Sequence, residues 1–445
     1  MKNSILETTS KEFYLDNLLN QFQINNIDNF KSLKQDSLEQ IRKLSFPTSQ
    51  DEEWRFIDLR ELYKHQFKIA KATKVTKKSI EDLIIPEVKA NCIVFVDGLY
   101  DESLSSITLS PNDIFIGTLK NLPDIKKDEV YTLLNNNLNK KDIFSRLNTI
   151  GLIDPAVIIV SENTTIKEPV QLLFISTQQS NSSLVQPHTL LVAEKGANVS
   201  FIECYSTIEN SHLNQDQINP YFTNSVTEIF LKDNARVTHN RIQLESNISF
   251  HIGKSNVTQD KDSFYALNQI DLGSRVCCNN IQIFQNGSRT ESCLNGLSIL
   301  NDDQISCTKT SINLNHPNGM IDQLHKYVVD DKAHGIFDGK IIVSKLAQIT
   351  NAKQLNRNLL LSKKSRINTK PELQITADNV KCSHGATISQ LESNELFYLQ
   401  SRGLSEANAR HLLVNAFIRE IIMKIPYKSL EQKLIKYIVS HTKQY

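Results

Sequence analysis

The chain has 445 residues, and its 50 Lys and Arg against 49 Asp and Glu give a formal net charge of +1. Proteins that bind nucleic acids usually carry a cationic excess, so this balance argues against a broad phosphate-binding surface. Hydrophobic residues make up 40% of the chain and glycine occupies only 13 positions, which excludes a disordered or a collagen-like protein. The composition therefore predicts an ordered globular chain with two or three packing units.

The sequence also bears on the compartment. No run of about 18 apolar residues predicts a membrane-spanning helix. The first residues, MKNSILETTSKEF, lack the basic start, apolar block and cleavage site of a signal peptide. We interpret the seven cysteines, an odd number, as reduced thiols. We therefore expect a cytoplasmic protein without nucleic-acid or membrane partners, and a plastid stroma is the less favoured location.

Apolar residues at helical spacing predict that residues 1–88 form an N-terminal helical domain. Leu15, Leu18 and Leu19 show this spacing in a first segment, and Leu38 and Ile41 show it in a second. A proline shortly after the second segment ends that helix. Several lysines close the region, and we interpret them as a solvated helix face or a linker rather than a binding patch.

Residues 89–384 follow a different pattern, in which apolar residues alternate over short segments. Phe264, Ala266, Asn268, Ile270 and Leu272 form one such segment. The segments recur about every 15–20 residues, with turn-forming residues between them, and no helix is predicted between about 150 and 370. Many short strands fit a sandwich, a barrel or a parallel β-solenoid. Periodicity does not choose among these folds, although the length of the region favours a solenoid, which grows by adding coils.

The helical spacing returns in residues 385–445, which we predict to form a C-terminal helical domain. Leu413, Phe417 and Ile421 form an apolar stripe along its longest helix. Such a helical end could cap the open edge of a solenoid, or its stripe could dock another protein. The sequence pattern supports both interpretations equally.

The chain lacks the motif of an ATP-hydrolysing protein. Gly253-Lys254-Ser255 resembles the end of a phosphate-binding loop, but Ile248 occupies the position of the required first glycine, and a strand pattern follows. Without a glycine-rich loop and a helix N-terminus, nothing gathers the phosphate oxygens. We therefore expect no ATP hydrolysis by this chain.

The cysteines include no C-x-x-C pair, so a zinc ribbon or a ferredoxin-type cluster lacks its framework. Cys277 and Cys278 are adjacent, and on a strand they would point to opposite faces. Cys382 and His384 are two residues apart, so on a strand they would project to the same face. A thiolate beside an imidazole is a partial ligand set for iron, copper or zinc. The pattern alone also fits an ordinary polar strand end.

Several segments carry a resemblance to a known family. They are QLNRNLLLS at 354–362, TKPEL at 369–373, ADNVKCSHGAT at 377–387, FYLQSRG at 397–403, HGIFDG at 334–339 and DEEWR at 51–55. Together they resemble the SufB/SufD family of iron–sulfur cluster assembly scaffolds over nearly the whole chain. SufB-type chains have a cysteine in the stretch that here is LSKKS, residues 361–365, so the resemblance is to the SufD branch.

The resemblance implies a mainly β protein, with a right-handed parallel β-helix core flanked by helical N-terminal and C-terminal domains. It implies a non-hydrolytic scaffold that pairs with a SufB-like paralogue and docks a SufC-like ABC-type ATPase through the C-terminal helices, including Leu413, Phe417 and Ile421. His384, with Cys382 beside it, would bind iron or a transient iron–sulfur cluster at the paralogue interface. No tightly bound cofactor is expected in the isolated chain, and whether that chain forms a homodimer stays open.

The alternative is a β-helix that binds or cleaves polysaccharide. Such proteins usually line a groove with carboxylates, basic residues and aromatic platforms. The strand region here contains no tryptophan, and the cysteines indicate a reducing compartment, so the sequence disfavours this alternative. A third hypothesis is a purely structural subunit that holds the ATPase without contacting a cluster.

Overall fold

The computed structural model describes residues 14–22, 30–88, 90–136, 142–209, 213–214 and 217–441. Strands dominate the middle of the chain, where β-branched and aromatic residues alternate with polar ones. The strands in the described residues are β1 (Lys68–Ile69), β2 (Cys92–Val96), β3 (Leu99–Tyr100), β4 (Ile114–Thr118), β5 (Ala156–Val160), β6 (Val170–Thr177), β7 (Ser183–Val185), β8 (His188–Ala193), β9 (Asn198–Ile208), β10 (Tyr221–Leu231), β11 (Arg236–Leu244), β12 (Phe250–Gln259), β13 (Phe264–Asp271), β14 (Val276–Gln285), β15 (Glu291–Leu300), β16 (Ile305–Leu314), β17 (Met320–Val329), β18 (His334–Val343), β19 (Thr350–Leu360), β20 (Arg366–Ile375) and β21 (Val380–Gln390).

Helices occupy both ends of the chain and one insertion near the start of the strand region. Residues 14–19 are helical, and the α-helices with assigned bounds are α1 (Lys31–Ile41), α2 (Arg60–Tyr63), α3 (Lys77–Ile80), α4 (Asp124–Asn136), α5 (Ile143–Ile150), α6 (Ser393–Ser401), α7 (Glu406–Ile422) and α8 (Lys428–His441). Short 3₁₀ turns span Glu52–Trp54, Glu81–Leu83, Pro86–Val88 and Leu119–Asn121. No helix in the described ranges is both long enough and apolar enough to cross a bilayer.

The strands form two sheets that share the chain alternately. The even-numbered strands from β8 to β20 lie side by side in one sheet, and the odd-numbered strands from β9 to β21 lie side by side in the other. These neighbours are parallel, so the chain must cross from one sheet to the other after every strand. This topology is a parallel β-solenoid and excludes the barrel and the sandwich. The prediction of a mainly β protein with a β-helix core between helical ends is confirmed.

The register of the strands gives the length of a coil. Phe250 pairs with Val276, Val276 with Ile305, and Ile305 with His334, so these coils are 26, 29 and 29 residues long. Each coil contributes one strand to each sheet. Successive strands therefore begin closer together than the 15–20 residues expected from the sequence, because one coil contains two strands.

Asn and Asp make the turns between strands. Asn234, Asp262, Asp302, Asn318 and Asp331 all have positive φ angles, between 46° and 62°. Their short polar side chains tolerate the left-handed region better than other L-residues do. This use of Asn and Asp explains how a chain with only 13 glycines makes so many tight turns.

The N-terminal region covers the outer face of the even-numbered sheet. Leu15, Leu18 and Leu19 are buried in an apolar cluster with Phe222 and Phe250 of the sheet. Helices are fewer here than predicted, and β1 pairs with β7 of the solenoid. The helices α4 and α5 lie between β4 and β5, so the first coils are less regular than the later ones.

The C-terminal helices cover part of the odd-numbered sheet. The helix α7 packs against β15 and β17, and its buried side chains include Val414 and Ile418. They join an apolar cluster with Leu297 and Val328 of the sheet. This arrangement leaves the last coil, formed by β20 and β21, at the end of the solenoid.

Candidate functional site

The last coil has an open edge. β20 pairs only with β18, and β21 pairs only with β19, so no described strand lies on the outer side of either. Most side chains of β21 are exposed, whereas those of β19 alternate between buried and exposed. The edge therefore presents unpaired backbone N–H and C=O groups, which can pair with another strand.

Cys382 and His384 lie on this outermost strand. In the parallel register Cys382 is opposite Ala352, and His384 is opposite Gln354. Ala352 and Gln354 are both buried inside the solenoid. Side chains two residues apart on a strand share a face, so Cys382 and His384 belong to the face that continues the solenoid interior. The extended conformation predicted for this segment is thus present, and the two residues share a face.

The two side chains have different surroundings. Cys382 is half-buried and packs against the apolar interior of the solenoid, and this burial raises the pKa of its thiol. His384 is exposed at the open end. Within the described residues, no group of three or more His, Cys, Asp and Glu side chains is arranged to hold a metal ion. Cys382 and His384 are therefore a partial ligand set, which other ligands would have to complete.

A polar column lies directly beneath His384. Gln354 Nε2 donates to Gln323 Oε1 at 3.0 Å, and Gln323 Nε2 donates to Thr310 Oγ1 at 2.9 Å. Gln354 Oε1 is buried and has no hydrogen-bond partner among the described residues. The column therefore ends, one strand below His384, on an acceptor that is free to receive an N–H donor.

Further inside, the interior contains a buried cluster of charged and imidazole groups. His239 Nε2 lies 3.2 Å from Glu203 Oε2, and Arg241 Nη1 lies 3.5 Å from Asp271 Oδ1. Burial would raise the pKa of Glu203, but the hydrogen bond from His239 and the charge of Arg241 outweigh it and lower that pKa to about 2. Glu203 is therefore a buried, compensated carboxylate.

Sequence reasoning missed both polar groups inside the solenoid. Gln354 appeared only as part of a family segment, and Arg241 was not singled out. The available signal was their position, because each occupies an inward site of a strand with alternating burial. A polar residue at such a site is easily mistaken for one that faces solvent.

The predicted partner stripe lies against its own chain. Ile421 is fully buried, and Leu413 and Phe417 are half-buried. Lys326 Nζ of β17 donates to the carbonyl of Phe417 at 2.7 Å and lies 4.5 Å from the centre of its ring. Lys326 also pairs with Glu420 at 2.6 Å. The side chain of Ile421 is thus a core residue in this structure.

Other apolar side chains of the same helices face outward. They are Phe397 and Tyr398 of α6, Leu412 of α7 and Met423, which follows α7, and their exposed fractions are 72%, 56%, 50% and 60%. Single exposed apolar residues are common on protein surfaces, but several on one small helical unit indicate an interaction surface. We call these four residues the outer helical patch.

Two family profiles match the chain. One is described as "SUF system FeS cluster assembly, SufBD core domain" and matches residues 174–417, and the other is the SufBD protein N-terminal region and matches residues 10–172. The first profile covers the regular coils and the start of the C-terminal helices, including Cys382 and His384. The second covers the N-terminal region and the irregular first coils.

Curated relatives agree with these matches. An iron–sulfur cluster assembly SufBD family protein of Synechocystis is 43% identical over 401 residues, which cover 90% of this chain and 88% of the relative. The chloroplastic protein ABCI7 of Arabidopsis thaliana is 30% identical, over 90% of this chain and 84% of the relative. The iron–sulfur cluster assembly protein SufD of Escherichia coli is 28% identical over 90% of each chain. The chain therefore belongs to the SufBD family of iron–sulfur cluster assembly proteins.

Proposed function

We propose that this chain is the SufD-type subunit of a SufBCD-like assembly complex. In this role it is a non-hydrolytic scaffold that pairs its open end with a SufB-like paralogue and contributes ligands to a nascent cluster. The observation that carries the proposal is the position of Cys382 and His384 together on the outermost strand of the open edge. A partner strand added there would bring its own ligands to the same face.

The chemistry of the two side chains suits this role. An exposed imidazole is an exchangeable ligand for iron, and a half-buried thiol becomes a thiolate ligand when a metal displaces its proton. A partial ligand set lets a cluster leave after assembly, whereas a closed site would retain it. The cluster is therefore the cargo of the complex, and the paralogue would supply the remaining ligands.

ATP hydrolysis belongs, in this proposal, to a SufC-like ABC-type ATPase. Lys254, from the sequence that resembles a phosphate-binding loop, lies within β12 and pairs with Asp142 at 2.9 Å. A lysine that is held in a strand by a carboxylate is poorly placed to bind phosphate, which supports a non-hydrolytic role. The outer helical patch is the surface that we assign to the ATPase, because its apolar side chains are available.

The same open edge bears on assembly and compartment. In the absence of the paralogue, a second copy of the chain would meet the same edge, so we include a homodimer of the isolated chain in the proposal. All seven cysteines are free, including pairs that lie close together. Free thiols are typical of a reducing compartment, and we propose the cytosol.

Cluster reconstitution tests the ligand role. The complex assembled with His384→Ala should accumulate several-fold less cluster absorbance than the wild type, because an iron ligand is lost, and Cys382→Ala should show a smaller loss. Ser383→Ala is the matched control, since Ser383 lies between them on the opposite face of β21.

Complex formation itself is measured on the same samples by native mass spectrometry. Normal cluster yield from both His384→Ala and Cys382→Ala within an intact complex would reject the ligand role and leave a purely structural subunit. Failure to recover any complex with a SufB-like chain and an ABC-type ATPase would reject the whole proposal.

A further inference from the structure

Two thiols lie side by side on the outer face of the solenoid, away from Cys382 and His384. Cys278 of β14 and Cys307 of β16 are directly opposite each other in the parallel register. Both belong to the apolar cluster between the even-numbered sheet and the N-terminal region. The neighbouring Cys277 points to the other face, where Asn279 Nδ2 donates to its sulfur at 3.4 Å. The opposite orientations expected for Cys277 and Cys278 are therefore present.

A small cleft reaches the two thiols. Its empty volume is about 400 Å³, and its lining includes Cys278, Cys307, Trp54 and Lys309. Lys309 Nζ lies 4.1 Å from the centre of the Trp54 ring. Cys278 is 4% exposed and Cys307 is fully buried, so only molecules little larger than water can reach the sulfur atoms.

The two thiols differ in acidity because of their surroundings. Burial would raise the pKa of Cys307, but the hydrogen bond with Cys278 and the charge of Lys309 outweigh it and lower that pKa below its ordinary value. The same hydrogen bond, together with burial, raises the pKa of Cys278 well above its ordinary value. At neutral pH, Cys307 is therefore the better nucleophile, and Cys278 keeps its proton.

We propose that Cys278 and Cys307 form a reversible dithiol–disulfide site whose oxidant is a small hydroperoxide. The Cys307 thiolate attacks one peroxide oxygen, an S–O bond forms, the O–O bond breaks, and the leaving hydroxide takes a proton to become water. The Cys278 sulfur then attacks the sulfenic sulfur, an S–S bond forms, and the S–O bond breaks with release of a second water. The two thiols lose two electrons, which reduce one hydrogen peroxide to two waters.

The geometry of the sheet permits this bond and makes it easy to reduce. Neighbouring parallel strands hold opposite Cα atoms about 4.8 Å apart, within the range of about 4.4–6.8 Å that disulfides span. Opposite Cβ atoms share nearly the same spacing, which is wider than the mean of about 3.8 Å in unstrained disulfides. The bond is therefore strained, and strained disulfides are the readily reduced ones.

The only tryptophan of the chain reports on the reaction, because Trp54 lines the same cleft. Hydrogen peroxide added to the purified full-length chain should lower Trp54 emission, since a disulfide quenches a nearby indole, and dithiothreitol should restore it. Peptide mass spectrometry should recover Cys278 linked to Cys307. Cys278→Ser should abolish the emission change and leave Cys307 as a sulfenic acid that dimedone traps.

A second thiol pair provides the matched control. Cys92 and Cys204 lie close together, but burial raises the pKa of each to about 12, so we expect both to stay reduced at the same peroxide dose. Lys309→Gln, which does not touch the thiols' covalent structure, should slow the formation of the linked peptide several-fold. Equal oxidation of both pairs, or alkylatable thiols at 278 and 307 after peroxide treatment, would overturn the proposal.

Discussion

His325 lies inside the solenoid, where burial lowers the pKa of its imidazole to about 3. Its Nδ1 lies 3.3 Å from Gln323 Nε2, and its Nε2 has no hydrogen-bond partner among the described residues. The folded protein therefore holds the neutral ring, whereas the unfolded chain binds a proton near pH 6.5. Because the unfolded state binds more protons between those values, stability falls as the pH is lowered through this window.

The His325→Gln variant should remove this acid-labile contribution. Each pH unit below 6.5 should cost the wild type about 1.4 kcal/mol more than the variant, until the pH approaches 3. Urea unfolding of both proteins at pH 7.5, 6.5 and 5.5 measures the difference, and other titrating groups cancel in the comparison. Free energies of unfolding that fall in parallel for the two proteins would contradict a neutral buried imidazole.

The helix α7 has two apolar faces with different roles. Ile421 and Ile418 are buried against the odd-numbered sheet, while Leu412 is half exposed. Lys326 fastens the inner face through Phe417 and Glu420. The inner face therefore stabilises the chain, and the outer face is the one available for docking.

Substitutions on the two faces should separate these roles. Ile421→Ala should lower the free energy of unfolding by about 2–5 kcal/mol, because it leaves a cavity in a packed cluster. Leu412→Asp should leave the unfolding curve nearly unchanged and weaken binding of an ABC-type ATPase about tenfold or more, by desolvation of the new charge. Urea unfolding and titration with the ATPase measure the two effects. An unchanged affinity in Leu412→Asp would place the ATPase surface elsewhere.

The molecule as a whole is a solenoid that helices cover on its sides but not at its last coil. The N-terminal region covers the even-numbered sheet, and α7 covers part of the odd-numbered sheet. The end formed by β20 and β21 also exposes Ile388, with half of its surface accessible, in register with buried Asn358. An open end with an exposed apolar side chain favours association through that end.

Ile388→Glu should therefore prevent end-to-end association. The wild type should form a heterodimer with a SufB-like chain and a weaker homodimer alone, whereas the variant should stay monomeric in both experiments. Ile125→Glu is the control, because Ile125 is 90% exposed on α4, outside the last coil. Sedimentation velocity measures the assembly state, and equal association of the two variants would exclude the open end as the interface.

Much of this architecture could be predicted from the sequence, because strand alternation and helical spacing record which side chains face a core. The segment from Phe264 to Leu272 showed the strand pattern, and the resemblance chose the solenoid among the folds that periodicity allowed. The polar interior could not be predicted, since Arg241 and Gln354 occupy inward positions with side chains that usually face water. Likewise, Ile421 and Leu412 are both apolar, and only packing distinguishes the core residue from the exposed one.

The polar interior has a thermodynamic consequence. Exposure of apolar surface raises the heat capacity on unfolding, whereas exposure of polar surface lowers it. Buried residues such as Glu203, His239 and Gln323 shift that balance toward the polar side. The stability of this molecule should therefore vary with temperature along a flatter curve than that of a solenoid filled with aliphatic side chains, so that chilling costs it comparatively little.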